Sequence, residues 1–175
     1  MRIRNVTHSM KNTYRINRGL KPGQYRLEDV FPDIRSYDIL SAIFADEKEI
    51  SRVMANVRVI VMNGPHEMFV DNHDGAITIG LTHLCSSSDE ILYLDIIHEL
   101  CHVKQHLQGQ NLYDEKKAYV DRETEIEAYE LTVREARRIG LGDDAIADYL
   151  RVSWITPEEH GRLASRLNVI ASTDK

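Results

Sequence analysis

The chain has 175 residues, of which 42% are hydrophobic, so it is long enough for one domain with a buried core and too short for two of ordinary size. No stretch approaches the roughly 20 consecutive apolar residues of a membrane helix, and the N-terminus lacks the apolar centre of a secretory signal. We therefore expect an intracellular, cytoplasmic protein with no membrane partner, folded as a single domain over residues 1–175.

Charge is distributed unevenly along the chain. Residues 1–27 carry seven basic residues and no acidic residue, although the net charge of the whole chain is −6. Such a basic N-terminal arm could bind nucleic acid or another anionic partner. Because the arm has little apolar periodicity, the favoured interpretation is that it lies across its own acidic body, and nucleic acid is not an expected partner. The two cysteines, Cys85 and Cys101, lack CxxC spacing and indicate neither a disulfide framework nor a cysteine-based zinc site.

The first half of the chain predicts short helices and then a sheet. Apolar residues recur at helical spacing over residues 34–57, which indicates one bent helix or two short ones. The β-branched run VRVIVM (57–62) ends at Asn63-Gly64-Pro65 and predicts a strand. The segments EMFVD and AITIGL flank Asp74-Gly75 and predict a hairpin. We expect a small, mostly antiparallel sheet and hence an α+β fold.

The second half predicts long helices. SSSDE (86–90) provides a capping box through Ser87 and Glu90, and Gly109 is a natural stop, so a helix is expected over about 88–108. A second long helix is predicted from near residue 113 to residue 138. The segments DDAIADYLRV and TPEEHGRLASRLNVI then predict C-terminal helices, the latter capped by Thr156.

The first long helix contains the motif HELCH. His98 and His102 lie about 40° apart on one helical face, one turn apart, so both imidazoles can point at one ion. Glu99 lies about 100° round from His98, where a glutamate can reach a metal-bound water without replacing it as a ligand. Zinc lowers the pKa of such a water and Glu99 would take its proton. The spacing therefore predicts a zinc site with hydrolytic chemistry.

The other residues of this helix are assigned to packing. Cys101 is interpreted as a packed thiol. His106 is displaced by about 6 Å along the helix axis from His102 and is interpreted as a rim residue. The opposite face is apolar and is expected in the core: Ile96, Leu100, Val103 and Leu107.

An acid-rich segment, YVDRETEIEAYELT (119–132), offers the third ligand that a catalytic zinc needs. Helical periodicity separates its glutamates. Glu125 alone shares a face with small residues that allow close approach of another helix, within about 60° of Ala118, Asp121, Ala128, Tyr129 and Thr132. The remaining glutamates lie at least about 140° away and are expected in water: Glu123, Glu127 and Glu130.

With these residues the chain resembles the gluzincin metallopeptidases, in which HExxH is followed by a glutamate ligand in an ExxA context, here EIEA beginning at Glu125. It looks most like the minimal gluzincins, or minigluzincins, over roughly residues 57–135. The resemblance implies a zinc-dependent peptidase acting on peptide or protein substrates, with Zn²⁺ held by His98, His102 and Glu125 and with Glu99 as the catalytic residue. It also implies that the strand AITIGL lines the cleft and pairs with extended substrate.

Some roles stay open at this point. Tyr129 stands where many gluzincins have an aspartate that holds a histidine ligand, which leaves Asp121, Asp95 or Tyr129 itself for that support. Several residues are candidates for stabilising the oxyanion of the reaction: Tyr129, His73, His83 and His160.

Two alternative functions also remain. The first is a zinc-binding but latent or non-catalytic protein whose cleft is covered by the basic arm or by the C-terminal segment TPEEHGRLASRLNVI. The second is a basic-armed nucleic-acid-binding module in which HELCH is incidental. That module would bind DNA or RNA in a salt-dependent way and would be indifferent to His98→Ala.

Overall fold

A mixed four-stranded sheet is combined with helices in the computed structural model, which describes residues 14–172. The strands are β1 (Gly23–Arg26), β2 (Arg58–Met62), β3 (Met68–Val70) and β4 (Ile77–Gly80). Their order in the sheet is β1-β2-β4-β3, with β2 and β4 parallel and the other two pairs antiparallel. The predicted α+β class and mostly antiparallel sheet are confirmed, and β3 and β4 form the predicted hairpin.

Eight α-helices accompany the sheet within residues 14–172. They are α1 (Leu27–Val30), α2 (Leu40–Ile43), α3 (Glu47–Asn56), α4 (Leu81–Ser86), α5 (Asp89–Leu107), α6 (Glu123–Arg138), α7 (Asp143–Tyr149) and α8 (Pro157–Arg166). The predicted pair of short helices before β2 is present as α2 and α3. None of the helices in this range has the length and apolar composition needed to cross a bilayer.

The predicted long helix before Gly109 is α5, but its cap differs from the expected one. The side chain of Ser88, not Ser87, accepts a hydrogen bond from the backbone N–H of Ile91. Ser87 instead ends α4, and its hydroxyl is hydrogen-bonded to the His83 ring. The other end agrees with the prediction, because Gly109 adopts a φ of 74°, which favours glycine.

The helix α6 begins ten residues later than predicted. The chain from Tyr113 to Arg122 forms turns and one 3₁₀ turn, Tyr119–Asp121. Backbone at Ala118 and Arg122 is extended, with ψ of 150° and 127°, so the helix cannot extend through these positions. The Tyr113 hydroxyl also donates a hydrogen bond to the Val70 carbonyl, which holds this connection against β3. Competing contacts of this kind are not visible in apolar periodicity.

The inner face of α5 is packed as predicted except at its end. Ile96, Leu100 and Val103 are buried in the hydrophobic core. Leu107 is 50% exposed, so its predicted burial is wrong; it is the last residue of the helix, where the chain turns away at Gly109. Cys101 is a packed thiol, and burial raises its pKa to about 12.

The described part of the basic arm belongs to the fold, whereas residues 1–13 lie outside the described residues. The ring of Tyr14 stacks on Tyr93 of α5 with the centroids 3.7 Å apart, and β1 forms one edge of the sheet. Three arginines of the arm form ion pairs with acidic residues of the body: Arg15 with Asp33, Arg18 with Asp89 and Arg26 with Glu28. These contacts support the interpretation that the arm lies on its own acidic body.

Candidate metal centre

Two histidines of α5 and one glutamate of α6 converge in the interior. His98 and His102 project from successive turns of α5, and Glu125 comes from the first turn of α6. The Nε2 atoms of the two histidines are 3.0 Å apart. Oε2 of Glu125 lies 3.3 Å from Nε2 of His98 and 3.4 Å from Nε2 of His102. The predicted meeting of two imidazoles and a carboxylate is therefore confirmed.

The size of this triangle fits a metal ion. A tetrahedral ion with bonds of about 2.0–2.1 Å holds its ligand atoms roughly 3.3–3.4 Å apart, close to the distances observed. Oε2 of Glu125, Oε2 of Glu99 and Nδ1 of His98 are buried and have no hydrogen-bond partner among residues 14–172. Buried polar atoms are rarely left in that condition, so this cluster calls for a further ligand. His98, His102 and Glu125 could hold a metal ion.

The electrostatics show how strongly the cluster attracts positive charge. Burial lowers the pKa of His102, but the Glu125 carboxylate and the charge of Glu99 outweigh burial and raise that pKa to about 9. Burial raises the pKa of Glu125, but the two imidazoles outweigh it and hold that pKa well below its usual range. Glu125 also lies near the positive end of the α6 dipole, which favours its ionised form. The two shifts have the same cause, which is that the cluster favours positive charge among its atoms.

Gln105 holds His102 in position and was not among the predicted site residues. Its side-chain oxygen lies 2.7 Å from Nδ1 of His102, so it can accept that N–H and leave Nε2 free as a ligand atom. Its amide nitrogen donates to the Thr124 carbonyl and to the Glu127 carboxylate, which ties α5 to the start of α6. Gln105 follows His102 by three residues on the same helix, and residues at this spacing are neighbours, so the sequence could have identified Gln105 as a partner of His102.

Support for His98 comes mainly from packing. The ring of Tyr129 lies against the His98 ring with centroids 4.4 Å apart, and its hydroxyl is hydrogen-bonded to that of Tyr119. The other predicted supports, Asp95 and Asp121, have different partners: Asp95 pairs with His83 and Asp121 with Arg162. Of the three candidates, Tyr129 is the one in contact with a histidine of the centre, through its ring.

Glu99 lies beside the three converging atoms in a cleft of about 580 Å³. Its side chain is buried, and burial raises its pKa above the usual range, with Glu125 and Asp95 acting in the same direction and His102 and His98 opposing. A divalent cation at the triangle would lower that pKa again, because opposite charge favours the carboxylate. The position suits a group that accepts and releases a proton.

The cleft is walled by β3 and by two connections. All residues of β3 line it, together with Leu112 and Tyr113 after α5 and Trp154 before α8. The strand AITIGL was expected to line the cleft, and this is wrong: β4 lies between β2 and β3 and is buried throughout. The edge strand beside the cleft is β3. Neither the described part of the basic arm nor α8 lines it.

The expected oxyanion candidates do not line this cleft. His160 is hydrogen-bonded to the Ala147 carbonyl, and His73 lines a separate surface groove. His83 and Tyr129 line a smaller cavity next to the cleft. Several donors that do line the cleft were not predicted, among them three residues that follow α5 and precede α6: Tyr113, Tyr119 and Arg122. His106, interpreted as a rim residue, lies against Gly75 in the β3–β4 turn.

Comparisons with protein-family models, with curated proteins and with solved structures found no match to this chain. The fold and the site together define an α+β protein with a buried His/His/Glu group that could hold a metal ion.

Proposed function

We propose that this protein is a zinc-dependent metallopeptidase of the gluzincin type, with His98, His102 and Glu125 as zinc ligands and Glu99 as general base and acid. The observation that carries the proposal is that the three converging atoms share one cleft with a Glu99 oxygen that has no hydrogen-bond partner in residues 14–172. Two imidazole nitrogens and one carboxylate oxygen are a donor set typical of catalytic zinc, with the fourth position left for water. Calcium and magnesium prefer oxygen ligands alone.

The residues of the cleft suit hydrolysis of a peptide bond. When bound, zinc would supply an acidic water and positive charge beside the scissile carbonyl. Glu99 accepts the proton of the attacking water and delivers it to the leaving amine. Tyr119 and Arg122 can donate hydrogen bonds to the oxyanion that develops. An extended peptide can pair with the edge strand β3 through its backbone.

Metal content and cleavage of a peptide library test the proposal together. Protein purified without added zinc should contain about one zinc per chain, as the three-ligand site predicts. Glu99→Gln should retain the metal and lower kcat by about 10²–10⁴-fold, the usual contribution of a general acid–base. The matched control is Glu130→Gln on the exposed face of α6, which should cleave like the wild type. A zinc-free protein whose stability ignores chelators, or a fully active Glu99→Gln variant, would contradict the proposal.

A latent zinc protein is the second candidate, and one contact favours it. The Tyr113 hydroxyl lies 2.6 Å from the Val70 carbonyl, so it occupies a backbone acceptor of β3 and ties the α5–α6 connection across the cleft wall. If this contact restrains the enzyme, Tyr113→Phe should increase peptide cleavage severalfold without changing metal content. Equal cleavage by the variant and the wild type would remove this form of latency.

A further inference from the structure

A second cavity of about 220 Å³ adjoins the cleft. Six residues line both spaces, so the two meet beside the candidate metal centre: Glu67, Met68, His98, Glu99, Tyr119 and Trp154. Glu67 directly precedes the edge strand β3, where an extended peptide would lie. A substrate group that enters the second cavity would therefore belong to a residue close to the scissile peptide bond, which lies beside Glu99.

The second cavity has more carboxylates than it has partners for them. Asp95 is paired with His83 at 2.7 Å, and Asp148 lies 3.7 Å from Arg151 at the mouth. Glu67 has no hydrogen bond and no ion pair within residues 14–172. Glu67 is exposed as a whole residue, and its carboxylate borders the cavity. Partial desolvation and the nearby Asp95 raise its pKa, and His83 lowers it.

Two buried atoms at the junction of the two spaces also lack partners. Oε2 of Glu99 and Nδ1 of His98 make no hydrogen bond in the described part of the chain, and both side chains line the second cavity. Their residues are only 5% and 6% exposed. Nδ1 of His98 carries a hydrogen when Nε2 faces a metal ion, so it can only donate. The Glu99 oxygen and Glu67 are acceptors, and the space therefore suits a polar ligand group that donates hydrogen bonds to the carboxylates.

We infer that the second cavity is a subsite for a cationic group next to the scissile bond, recognised by Glu67. This inference rests on the proposed peptidase function. Trp154 forms another part of the lining, and its ring can attract the same cation through a face, whereas Arg122 already lies 5.8 Å from the centroid of the Tyr119 ring. Both the side chain of lysine or arginine and the α-ammonium of an N-terminal residue have the required chemistry.

Matched peptides test the subsite. One series carries Lys, norleucine or Glu at each position around the cut, and each peptide is made with a free and with an acetylated N-terminus. With zinc-loaded protein, kcat/KM should be roughly tenfold higher for the cationic peptide at one position adjacent to the cut, the size expected of a partly exposed charged hydrogen bond. A preference that disappears on acetylation identifies the α-ammonium as the cation, and one that survives identifies the side chain.

Binding provides a readout that does not depend on cleavage. Trp154 is the one tryptophan of the chain and lines both spaces, so its fluorescence should report peptide binding. Cationic peptides should bind roughly tenfold more tightly than norleucine peptides. Preferential binding without cleavage would contradict the peptidase proposal and leave the subsite supported. Cleavage without a charge preference would support the peptidase and overturn the subsite.

Variants of Glu67 complete the test. Glu67→Gln should remove the preference for the cationic peptide, and Glu67→Lys should transfer it to the peptide carrying Glu. The control is Glu130→Lys, the same charge change at an exposed position of α6 outside both cavities. Metal content and thermal stability of all three variants should match the wild type. An undiminished cation preference in Glu67→Gln would overturn the inference.

Discussion

Two buried carboxylates of α6, Glu125 and Glu135, face α5 from opposite ends of the same helix pair, and their surroundings differ. Glu135 accepts hydrogen bonds from the Tyr93 hydroxyl and from two nitrogens of Arg138, which lie 2.6 and 2.7 Å away. Glu125 faces the Nε2 atoms of two histidines at 3.3 and 3.4 Å, and its Oε2 has no hydrogen-bond partner in residues 14–172. One carboxylate is satisfied by the chain, and the other is not.

The difference separates a structural cluster from a binding site. A buried carboxylate with sufficient donors of its own stabilises the packing of two helices and needs nothing from outside. A buried carboxylate grouped with the lone pairs of two imidazoles is stable only when a proton or a metal ion lies among them. The pKa of His102, which Glu125 and Glu99 raise against burial, lies in the direction expected for such a group.

Exchanging each carboxylate for its amide should change zinc binding at Glu125 and stability at Glu135. This is the largest difference that we expect between the two positions. Glu125→Gln should lose most of its bound zinc, more than the roughly 10–100-fold loss of affinity that removal of a supporting partner causes, because it removes a ligand itself. Glu135→Gln should keep its zinc and lose about 1–3 kcal/mol of stability, since it weakens a buried charged hydrogen-bond cluster. Metal analysis after dialysis and urea unfolding with chelator measure the two effects.

Added zinc should extend the contrast to stability. At a free zinc concentration of 100 times Kd, the free energy of unfolding should rise by about 2.7 kcal/mol in the wild type and in Glu135→Gln. Glu125→Gln should gain little at the same concentration. An equal gain in both variants would mean that zinc binds elsewhere, and the distinction between the two clusters would fail.

Gln105 should have a smaller effect on the metal than the ligands have. Gln105→Leu preserves the approximate size of the side chain and removes the acceptor for Nδ1 of His102, so zinc affinity should fall by about 10–100-fold. Gln105→Glu retains an acceptor for His102 but turns an oxygen toward the Thr124 carbonyl and the Glu127 carboxylate, so it should recover only part of the affinity. Competition with a chromophoric chelator measures both variants. If the two lose affinity equally, Gln105 acts by packing and does not orient His102.

Much of the centre could be predicted because local geometry determines it. Two histidines four residues apart on a helix must share a face, whatever surrounds them. Glu125 was identified from the small residues Ala128 and Thr132 that share its face, and both are buried as expected. The part of that argument that used Ala118 and Asp121 does not hold, because α6 begins only at Glu123.

Features that depend on packing between distant segments could not be predicted. The hairpin was correctly expected, but its sequence does not say which of its strands lies at the edge of the sheet. The parallel pairing of β2 with β4 decides this and leaves β3 beside the cleft. The contact of Tyr113 with Val70 and the position of Glu67 beside the second cavity likewise arise only when remote residues meet.

The smallest expected effect concerns pH and the satisfied carboxylate. Burial raises the pKa of Glu135, but hydrogen bonds from Arg138 and Tyr93 outweigh burial and lower it below the ordinary value of 4.5. A folded-state pKa below the unfolded value means that the stabilisation is complete above about pH 5 and is lost as pH falls through the folded pKa. Glu135→Gln lacks this titration.

The stability difference between the wild type and Glu135→Gln should therefore be constant from pH 7 to about pH 5 and shrink below about pH 4.5, where the protonated acid resembles the amide. Urea unfolding with chelator present, so that both proteins are metal-free, measures the difference at each pH. All other titrating groups, including Glu125 and His102, are common to both proteins and cancel. A stability difference that stays the same down to pH 3 would mean that the charge of Glu135 contributes nothing to stability. The end of the helix pair that contains Glu135 would then depend on packing alone.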